Sequence, residues 1–180
     1  MRCVERGFSG IENLSLIPGS VGASPIQNIG AYGTEVSETI VKVNAVNLKS
    51  GTLHSFSNAD CQFGYRDSIF KHQQDYVISS VTFRLNKSFT YKEKYIDLSR
   101  ELNGTPNPTR SQVREAIIRV RTRKLPAFTE LPNAGSFFKN PILTKEEKEN
   151  LLKVALDAPV YNAGENKFKT SAAFLIDKAG

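Results

Sequence analysis

The sequence contains few of the residues that hold metal ions or disulfide bridges. Its cysteines are Cys3 and Cys61, and its histidines are His54 and His72. Two cysteines are too few for a disulfide framework, and neither they nor the histidines have partners at metal-ligand spacing. We therefore expect no metal site and no metal-dependent hydrolysis, and a reducing cytoplasm is the simplest compartment.

Several other signals are missing as well. No apolar run is long enough to cross a bilayer, and residues 1–6, MRCVER, lack the apolar segment of a signal peptide. The chain also has no Walker-type phosphate loop, no G-x-G-x-x-G motif and no G-x-S-x-G nucleophile elbow. These absences argue against a membrane span, against both standard nucleotide loops and against hydrolysis by a catalytic triad.

Positive charge is in excess. The net charge of +6 favours an anionic partner such as a phosphate, a nucleotide or a nucleic acid. One dense basic cluster is formed by Arg114, Arg119, Arg121, Arg123 and Lys124. A nucleic-acid interface would be better supported by basic residues with aromatic residues between them. A solvated helix face explains the cluster more simply, so we expect no nucleic-acid partner and keep nucleic-acid binding as an alternative.

The first half of the chain has the patterns of a glycine-rich loop followed by β-strands. Residues 7–33 are rich in small residues, which let the backbone approach another group closely. Residues 39–57 read as a hairpin with turn residues at its centre, and residues 76–85 are rich in β-branched and aromatic side chains. Breaker residues at 103–108 indicate a domain boundary.

Beyond that boundary the pattern becomes helical. Capping-box spacings begin at Thr109 and at Thr144, and each opens a segment with apolar residues on one face. Pro126 ends the first of these helices, and residues 170–179 read as the start of a third. The chain is therefore predicted to have an α+β fold.

Three stretches carry a more specific signal. They are GIENLSLIPGSVGASPIQNIGAYG at 10–33, FGYRDSIFK at 63–71 and GSFFKNP at 135–141. Together and in this order they closely resemble the UDP-N-acetylenolpyruvoylglucosamine reductases, bacterial flavoenzymes of peptidoglycan synthesis. The resemblance runs through nearly the whole chain. In that family the glycine-rich loop for the FAD pyrophosphate precedes the first stretch and a catalytic glutamate follows the last, so we expect both to lie outside these residues.

The resemblance implies a domain organisation. Residues 1–108 are expected to form the latter part of an FAD-binding domain with a mixed or antiparallel sheet. Residues 109–123 are expected to form a connecting helix, and residues 124–180 part of an α+β substrate-binding domain. The implied enzyme is a cytoplasmic bacterial protein that acts as a monomer.

The resemblance also implies a cofactor and its ligands. FAD is the expected cofactor and NADPH the expected reductant. The glycine-rich loop would pass the flavin, with backbone groups exposed at its small residues and hydrogen bonds from its polar ones. Read from composition alone, it is an ordinary glycine-rich loop. The residues assigned to the cofactor are Pro18, Gly19, Gly22, Ala23, Ser24, Gln27, Asn28, Gly30, Ala31 and Tyr32.

Two residues are assigned catalytic roles by the resemblance. After hydride transfer from flavin N5 to C3 of the enolpyruvyl group, Ser136 would give a proton to C2. Arg66 would bind the enolpyruvyl carboxylate and stabilise the charge that develops, a task suited to a guanidinium. Without the family, Ser136 is a turn serine and Arg66 a surface or ion-paired arginine. Asp67 either orients Arg66 or pairs with another cation.

The expected substrate is UDP-N-acetylglucosamine enolpyruvate, with no membrane partner. The residues assigned to it are Tyr65, Arg66, Tyr95, Lys124, Asn140 and Lys169. For Lys169, a surface lysine at the start of a helix is the alternative. Phe137 and Phe138 are predicted to anchor the Ser136 loop in a core. The alternative for the whole chain is a folded, non-catalytic fragment that binds no FAD, and a weaker alternative is another oxidase of the same flavin fold.

Overall fold

A computed structural model describes residues 2–91, 95–127 and 129–180. These residues form two compact units, one of residues 1–133 and one of residues 134–180. Residues 124–133, which the sequence placed with the second domain, therefore belong by their contacts to the first unit. The assignment of the units to FAD and to substrate stays a prediction.

The first unit is built around a three-stranded antiparallel sheet in the order β4-β3-β5. The predicted hairpin is present, since β3 and β4 pair antiparallel from Lys42 and Ser57 to Val46 and Leu53. The strand predicted at 76–85 is β5, which pairs with the other edge of β3. The strands of this unit are β1 (Gly30–Ala31), β2 (Thr34–Glu35), β3 (Ile40–Asn47), β4 (Leu53–Ser57) and β5 (Tyr76–Phe83).

The described residues of the first unit form four helices. The longest, α4, begins at the predicted capping box of Thr109 and Gln112. It buries Val113, Ile117 and Val120, the face that helical periodicity indicated. The helix bounds are α1 (Arg2–Glu5), α2 (Ile69–His72), α3 (Ile96–Glu101) and α4 (Arg110–Lys124), and single 3-10 turns lie at Glu12–Leu14, Val21–Ala23 and Val36–Glu38.

Two hydrophobic clusters stabilise this unit. One packs the sheet against α2 and includes Val43, Cys61 and Phe70, all at least nine-tenths buried. The other packs α3 against α4 through Leu98, Leu102 and neighbouring α4 residues. Burial raises the pKa of the Cys61 thiol to about 11, so this cysteine is a small apolar core residue rather than a reactive one.

The second unit contains a three-stranded antiparallel sheet in the order β6-β8-β7 and two helices. Thr144 caps the first helix in the predicted capping box, and Ser171 caps the second. Thr170 is the one fully buried residue among the described residues of this unit. The bounds are β6 (Ile142–Leu143), α5 (Lys145–Val154), β7 (Val160–Gly164), β8 (Lys167–Thr170) and α6 (Ala172–Ala179).

Helices and antiparallel sheets in both units confirm the predicted α+β class. No described helix is long and apolar enough to span a membrane. Within the described ranges there is also no group of three or more histidine, cysteine, aspartate or glutamate side chains placed to hold a metal ion.

Candidate functional site

The glycine-rich loop forms one wall of a cavity in the first unit. The cavity has a volume of about 320 Å³. Its lining includes Pro18, Gly19, Ala23, Ser24 and Gln27, five of the residues assigned to the cofactor. The loop keeps its shape through a 3-10 turn: Ser20 accepts a hydrogen bond from the Ala23 amide, and Ser24 Oγ donates to the Val21 carbonyl at 2.7 Å. The structure thus brings half of the predicted cofactor residues together around one concave site.

A tight hairpin follows the loop. Strands β1 and β2 pair with Gly30 opposite Glu35 and Ala31 opposite Thr34. The two residues between the strands, Tyr32 and Gly33, have φ values of +48° and +77°. Positive φ at both central residues is typical of the tight turns whose twist matches that of paired strands. Register in this hairpin therefore places the Gly30 carbonyl and the Glu35 carboxylate side by side.

Arg66 lies against that hairpin. Its Nη2 donates to the Gly30 carbonyl at 2.6 Å, and its Nη1 donates to Glu35 Oε1 at 3.0 Å and to the Asn28 carbonyl at 3.2 Å. Its own backbone is in the left-handed region with φ of +54°, a conformation that costs energy in a non-glycine residue. About a quarter of the side chain (24%) stays exposed.

Asn28 supports this arrangement from inside. It is only 1% exposed. Its Nδ2 donates to Glu35 Oε2 at 2.8 Å and to the Gly64 carbonyl at 2.9 Å, and its Oδ1 accepts from the Ser37 amide at 3.1 Å. The side-chain amide of Asn28 is therefore already hydrogen-bonded to other residues of the chain. Contact between this side chain and a cofactor stays a prediction, and its present hydrogen bonds favour a supporting role instead.

The neighbours of Arg66 answer the question that the sequence left open about Asp67. The Asp67 carboxylate Oδ1 lies 3.1 Å from Nε2 of His72. The hydrogen bond between the two side chains lowers the pKa of the Asp67 carboxyl. The Asp67 carboxylate therefore pairs with His72 rather than with Arg66. The Tyr65 ring lies beside Arg66, with 5.1 Å between the ring centroid and Cζ, which is cation–π distance.

Two of the predicted site tyrosines meet near the end of α4. The rings of Tyr32 and Tyr95 pack edge to face with centroids 5.7 Å apart, and burial raises the pKa of Tyr32. Lys124, assigned to the substrate, is exposed and forms an ion pair with Asp97. The hydrogen bond from Lys124 lowers the pKa of Asp97. The structure thus groups Tyr32, Tyr95 and Lys124, but gives Lys124 an acidic partner that the sequence had not indicated.

The basic cluster of α4 is also partly neutralised. Glu101 accepts from Arg119 Nε at 2.6 Å and from Arg123 Nη1 at 3.0 Å. Together with the Asp97 pair, these contacts reduce the charge that the helix can offer to a polyanion. They support a solvated, ion-paired helix face over a nucleic-acid interface.

The Ser136 loop lies in the second unit. Gly135 precedes the serine with φ of +76°, and Ser136 is exposed. Phe137 and Phe138 are 82% and 61% exposed, and their rings contact each other with centroids 5.1 Å apart. The prediction that they anchor the loop in a core is therefore wrong for these residues. Among residues 134–180 only Thr170 is fully buried, so this unit offers no core for the two rings.

Two residues assigned to the substrate belong to the same unit as the Ser136 loop. Asn140 follows Ser136 in the sequence, and Lys169 lies in the sheet of this unit. Asn140 Oδ1 accepts from the Ala172 amide at 3.0 Å, which satisfies a free donor at the start of α6. Lys169 lies in β8, opposite Ile142 of one neighbouring strand and Tyr161 of the other. It is therefore a half-buried strand residue, and the alternative of a lysine at a helix start is wrong.

Sequence reasoning missed two acidic residues of these sites, Glu35 and Asp97. The signal for Glu35 was its spacing from Glu38, because the two form a capping box around a 3-10 turn. For Asp97 the signal was an acidic residue in the first turn of a helix. Neither signal shows which cation the carboxylate meets.

Comparison with known proteins identifies relatives of this chain. No protein-family model matches it. Three curated relatives share the name UDP-N-acetylenolpyruvoylglucosamine reductase: the chain is 44% identical to that of Flavobacterium johnsoniae, 48% to that of Bdellovibrio bacteriovorus and 44% to that of Neisseria meningitidis. These matches cover 98–99% of this chain and 53–54% of the relatives. The chain therefore spans about half the length of the curated relatives it matches.

A solved structure adds a comparison of folds. The chain superposes on the crystal structure of UDP-N-acetylenolpyruvylglucosamine reductase from Thermus caldophilus with a TM-score of 0.54 and 21% identity. The superposition covers 94% of this chain and 56% of that structure. At this identity the likeness concerns the fold alone. Over nearly its whole length the chain is homologous to part of the UDP-N-acetylenolpyruvoylglucosamine reductases, which confirms the resemblance that its three motifs indicated.

Proposed function

We propose that this chain supplies half of the active site of a bacterial flavin reductase that converts UDP-N-acetylglucosamine enolpyruvate to UDP-N-acetylmuramate with NADPH. The reaction would take place in the cytoplasm, in peptidoglycan synthesis. The observation that carries the proposal is the 44–48% identity to reductases of that name over nearly the whole chain. The chain spans about half the length of those relatives.

The residues present fit an FAD. The 320 Å³ cavity is lined mostly by apolar side chains, with the small residues of the loop and a few polar groups, the usual character of a cofactor site. Pro18, Gly19 and Ala23 would let backbone groups approach the ring, and Ser24 and Gln27 would orient it. When bound, the flavin supplies the hydride that C3 of the enolpyruvyl group receives.

Arg66 would bind the enolpyruvyl carboxylate. Its three contacts with Asn28, Gly30 and Glu35 do not exhaust the donors of a guanidinium, so donors remain for a carboxylate. Because these contacts fix the plane of the group, the remaining donors keep one direction. An oriented cation stabilises the negative charge that develops on the substrate without having to rearrange during the reaction.

Ser136 would donate the proton that C2 receives. A serine hydroxyl is a weak acid, and it can act only within hydrogen-bond reach of the carbon and where charge at the substrate is shared by a cation. The exposed position of Ser136 leaves the hydroxyl accessible to a ligand. Gly135 provides the left-handed turn that presents it.

The remaining assigned residues would hold the rest of the substrate. Lys124 would exchange its Asp97 partner for the diphosphate, and Lys169 would add a second cation. Asn140 would contribute its amide while its Oδ1 holds the start of α6. Tyr65 and Tyr95 would contact the substrate as well.

The first test is the visible spectrum of the purified 180-residue chain after incubation with FAD and gel filtration. Retained flavin absorbance that is bleached by NADPH and restored by UDP-N-acetylglucosamine enolpyruvate supports the proposal. A folded chain that retains no flavin contradicts it.

A second candidate is a folded, non-catalytic fragment without FAD. It is favoured by the second unit, where Thr170 is the one described residue that is fully buried. A colourless chain with a cooperative unfolding transition supports this candidate. Steep salt-dependent retention on heparin would instead point to the nucleic-acid alternative.

A further inference from the structure

Glu35 has a place in the Arg66 site that no motif assigned to it. Its two carboxylate oxygens have different partners: Oε1 accepts from Arg66 Nη1 at 3.0 Å and Oε2 accepts from Asn28 Nδ2 at 2.8 Å. Asn28 in turn bonds the carbonyl of Gly64 at 2.9 Å, two residues before Arg66. These contacts close a ring that joins the hairpin, the buried amide and the arginine loop.

The ring fixes both ends of Arg66. Gly64 and Asp67 exchange two backbone hydrogen bonds of 3.0 and 3.2 Å, which hold the turn that contains Arg66. At the other end, Glu35 and the Gly30 carbonyl each hold one Nη atom of the guanidinium. A guanidinium held at both nitrogens has a fixed plane, which is what a bidentate contact to a carboxylate requires.

The ring also contains unfavourable backbone conformations. Arg66 and Asn28 both have positive φ, at +54° and +43°. Residues held in this region persist only where the surroundings determine them, and they concentrate at functional sites. The buried, fully bonded amide of Asn28 and the carboxylate of Glu35 supply that determination.

Glu35 contacts Arg66 through Nη1. A carboxylate there repels a second carboxylate, so it is unsuited to touch the enolpyruvyl group itself. Its side chain is about one-third exposed (34%) and that of Arg66 about one-quarter (24%), so the pair is partly open to solvent.

We infer that Glu35 is the positioning residue of the substrate-binding arginine: together with Asn28 it holds the Arg66 guanidinium in the plane that receives the enolpyruvyl carboxylate. This inference rests on the proposed function for its substrate. The hold on Arg66 is a property of the chain alone and can be measured separately.

The matched variants are Glu35→Gln and Glu38→Gln. Both remove one negative charge from the same capping box, but Glu38 accepts from the Glu35 amide at 2.7 Å and has no role in holding Arg66. The first measurement is exchange of the Arg66 guanidinium hydrogens with water, followed by nitrogen-15 NMR in the 180-residue chain. Exchange should accelerate by about tenfold in Glu35→Gln, the loss of one charge-assisted hydrogen bond, and stay unchanged in Glu38→Gln.

The second measurement is made on flavin-loaded protein by stopped flow. Glu35→Gln should slow re-oxidation of the reduced flavin by UDP-N-acetylglucosamine enolpyruvate about 10- to 100-fold, the cost of a misplaced group. Reduction by NADPH should stay within about twofold, since no step of it uses Arg66. A merely structural role would slow both half-reactions or lower Tm in step with them.

The outcomes separate the two proposals. Unchanged Arg66 exchange in Glu35→Gln, or loosened exchange with an unchanged re-oxidation rate, overturns the positioning role. Parent protein that binds no flavin refutes the proposed function, while the exchange measurement still decides whether Glu35 holds Arg66. If Glu35→Gln does not fold, Glu35→Asp, which keeps the charge but shortens the side chain, decides the question by the same two measurements.

Discussion

A Cβ atom added to Gly30 would lie 2.6 Å from Nη1 of Arg66 and 2.9 Å from the Thr34 carbonyl oxygen. Real Cβ contacts are essentially never this short, so the glycine is required by the arginine that packs on it. The Arg66 side chain can move away, whereas the Thr34 carbonyl belongs to the paired hairpin. The glycine thus sets where the guanidinium lies.

Gly30→Ala should therefore displace Arg66. We expect re-oxidation of flavin by the enolpyruvyl substrate to slow by about 10- to 100-fold and the free energy of unfolding to fall by about 1–3 kcal/mol through overpacking. Gly51→Ala is the control: its Cβ meets nothing within 4 Å, but its φ of +68° makes alanine strained. It should lower stability and leave re-oxidation unchanged. Equal rates in Gly30→Ala and parent would contradict the packing argument.

Asp97 should contribute to the pH dependence of stability. The hydrogen bond from Lys124 lowers its pKa from the ordinary value of 3.8. A carboxyl whose pKa is lower in the folded state stabilises the fold above its unfolded pKa, and this contribution is lost as pH falls through the folded pKa. Asp97→Asn should therefore lose less stability than the parent when pH falls below about 4. The effect should be small because the side chains of Lys124 and Asp97 are about half exposed, at 56% and 44%.

Urea unfolding of both proteins at a series of pH values between about 3 and 7 measures this difference. Far-UV circular dichroism at each pH shows whether both begin from the same folded state. Parallel stability curves for the two proteins would show that the Lys124–Asp97 pair contributes nothing.

Ile117 should be one of the main contributors to the stability of the first unit. It has no exposed surface and packs in the cluster of Leu98, Leu102 and Val113. Ile117→Ala removes buried methyl groups and leaves a cavity, so the free energy of unfolding should fall by about 2–5 kcal/mol. Glu115→Ala, on the exposed face of the same helix, should change it by no more than about 0.5 kcal/mol. A small effect at Ile117 would show that the α3–α4 contact is not part of the cooperative core.

Local elements of this fold could be predicted from the sequence because their causes are local. The capping boxes at Thr109 and Thr144 are formed by residues three apart, and each opens the expected helix. The hairpin of β3 and β4 follows from alternation on either side of a short turn. In each case the determining residues are neighbours in the sequence.

The Arg66 site shows why the rest could not be predicted. Arg66 is 31 residues from Glu35 and 36 from Gly30, so their contacts depend on how the hairpin meets the arginine loop. Motif similarity singled out Arg66, Gly30 and Asn28 but assigned the last two to a cofactor. Burial was misjudged at Phe137 and Phe138 for a similar reason: apolarity is visible in a sequence, but the presence of a surface to cover it is not.

Ser136→Ala tests the proton donor directly. In flavin-loaded protein, reduction by NADPH should be unchanged, because no step of it requires the serine. Re-oxidation by UDP-N-acetylglucosamine enolpyruvate should slow by about 10²- to 10⁴-fold, the contribution of a placed general acid. Since Ser136 is exposed, Tm should stay that of the parent, and Ser50→Ala in the exposed β3–β4 turn is the matched control. Stopped-flow absorbance separates the two half-reactions. A variant that turns over the substrate at the parent's rate would show that Ser136 is not the proton donor. The role of Arg66 would then still be decided by the Glu35 variants.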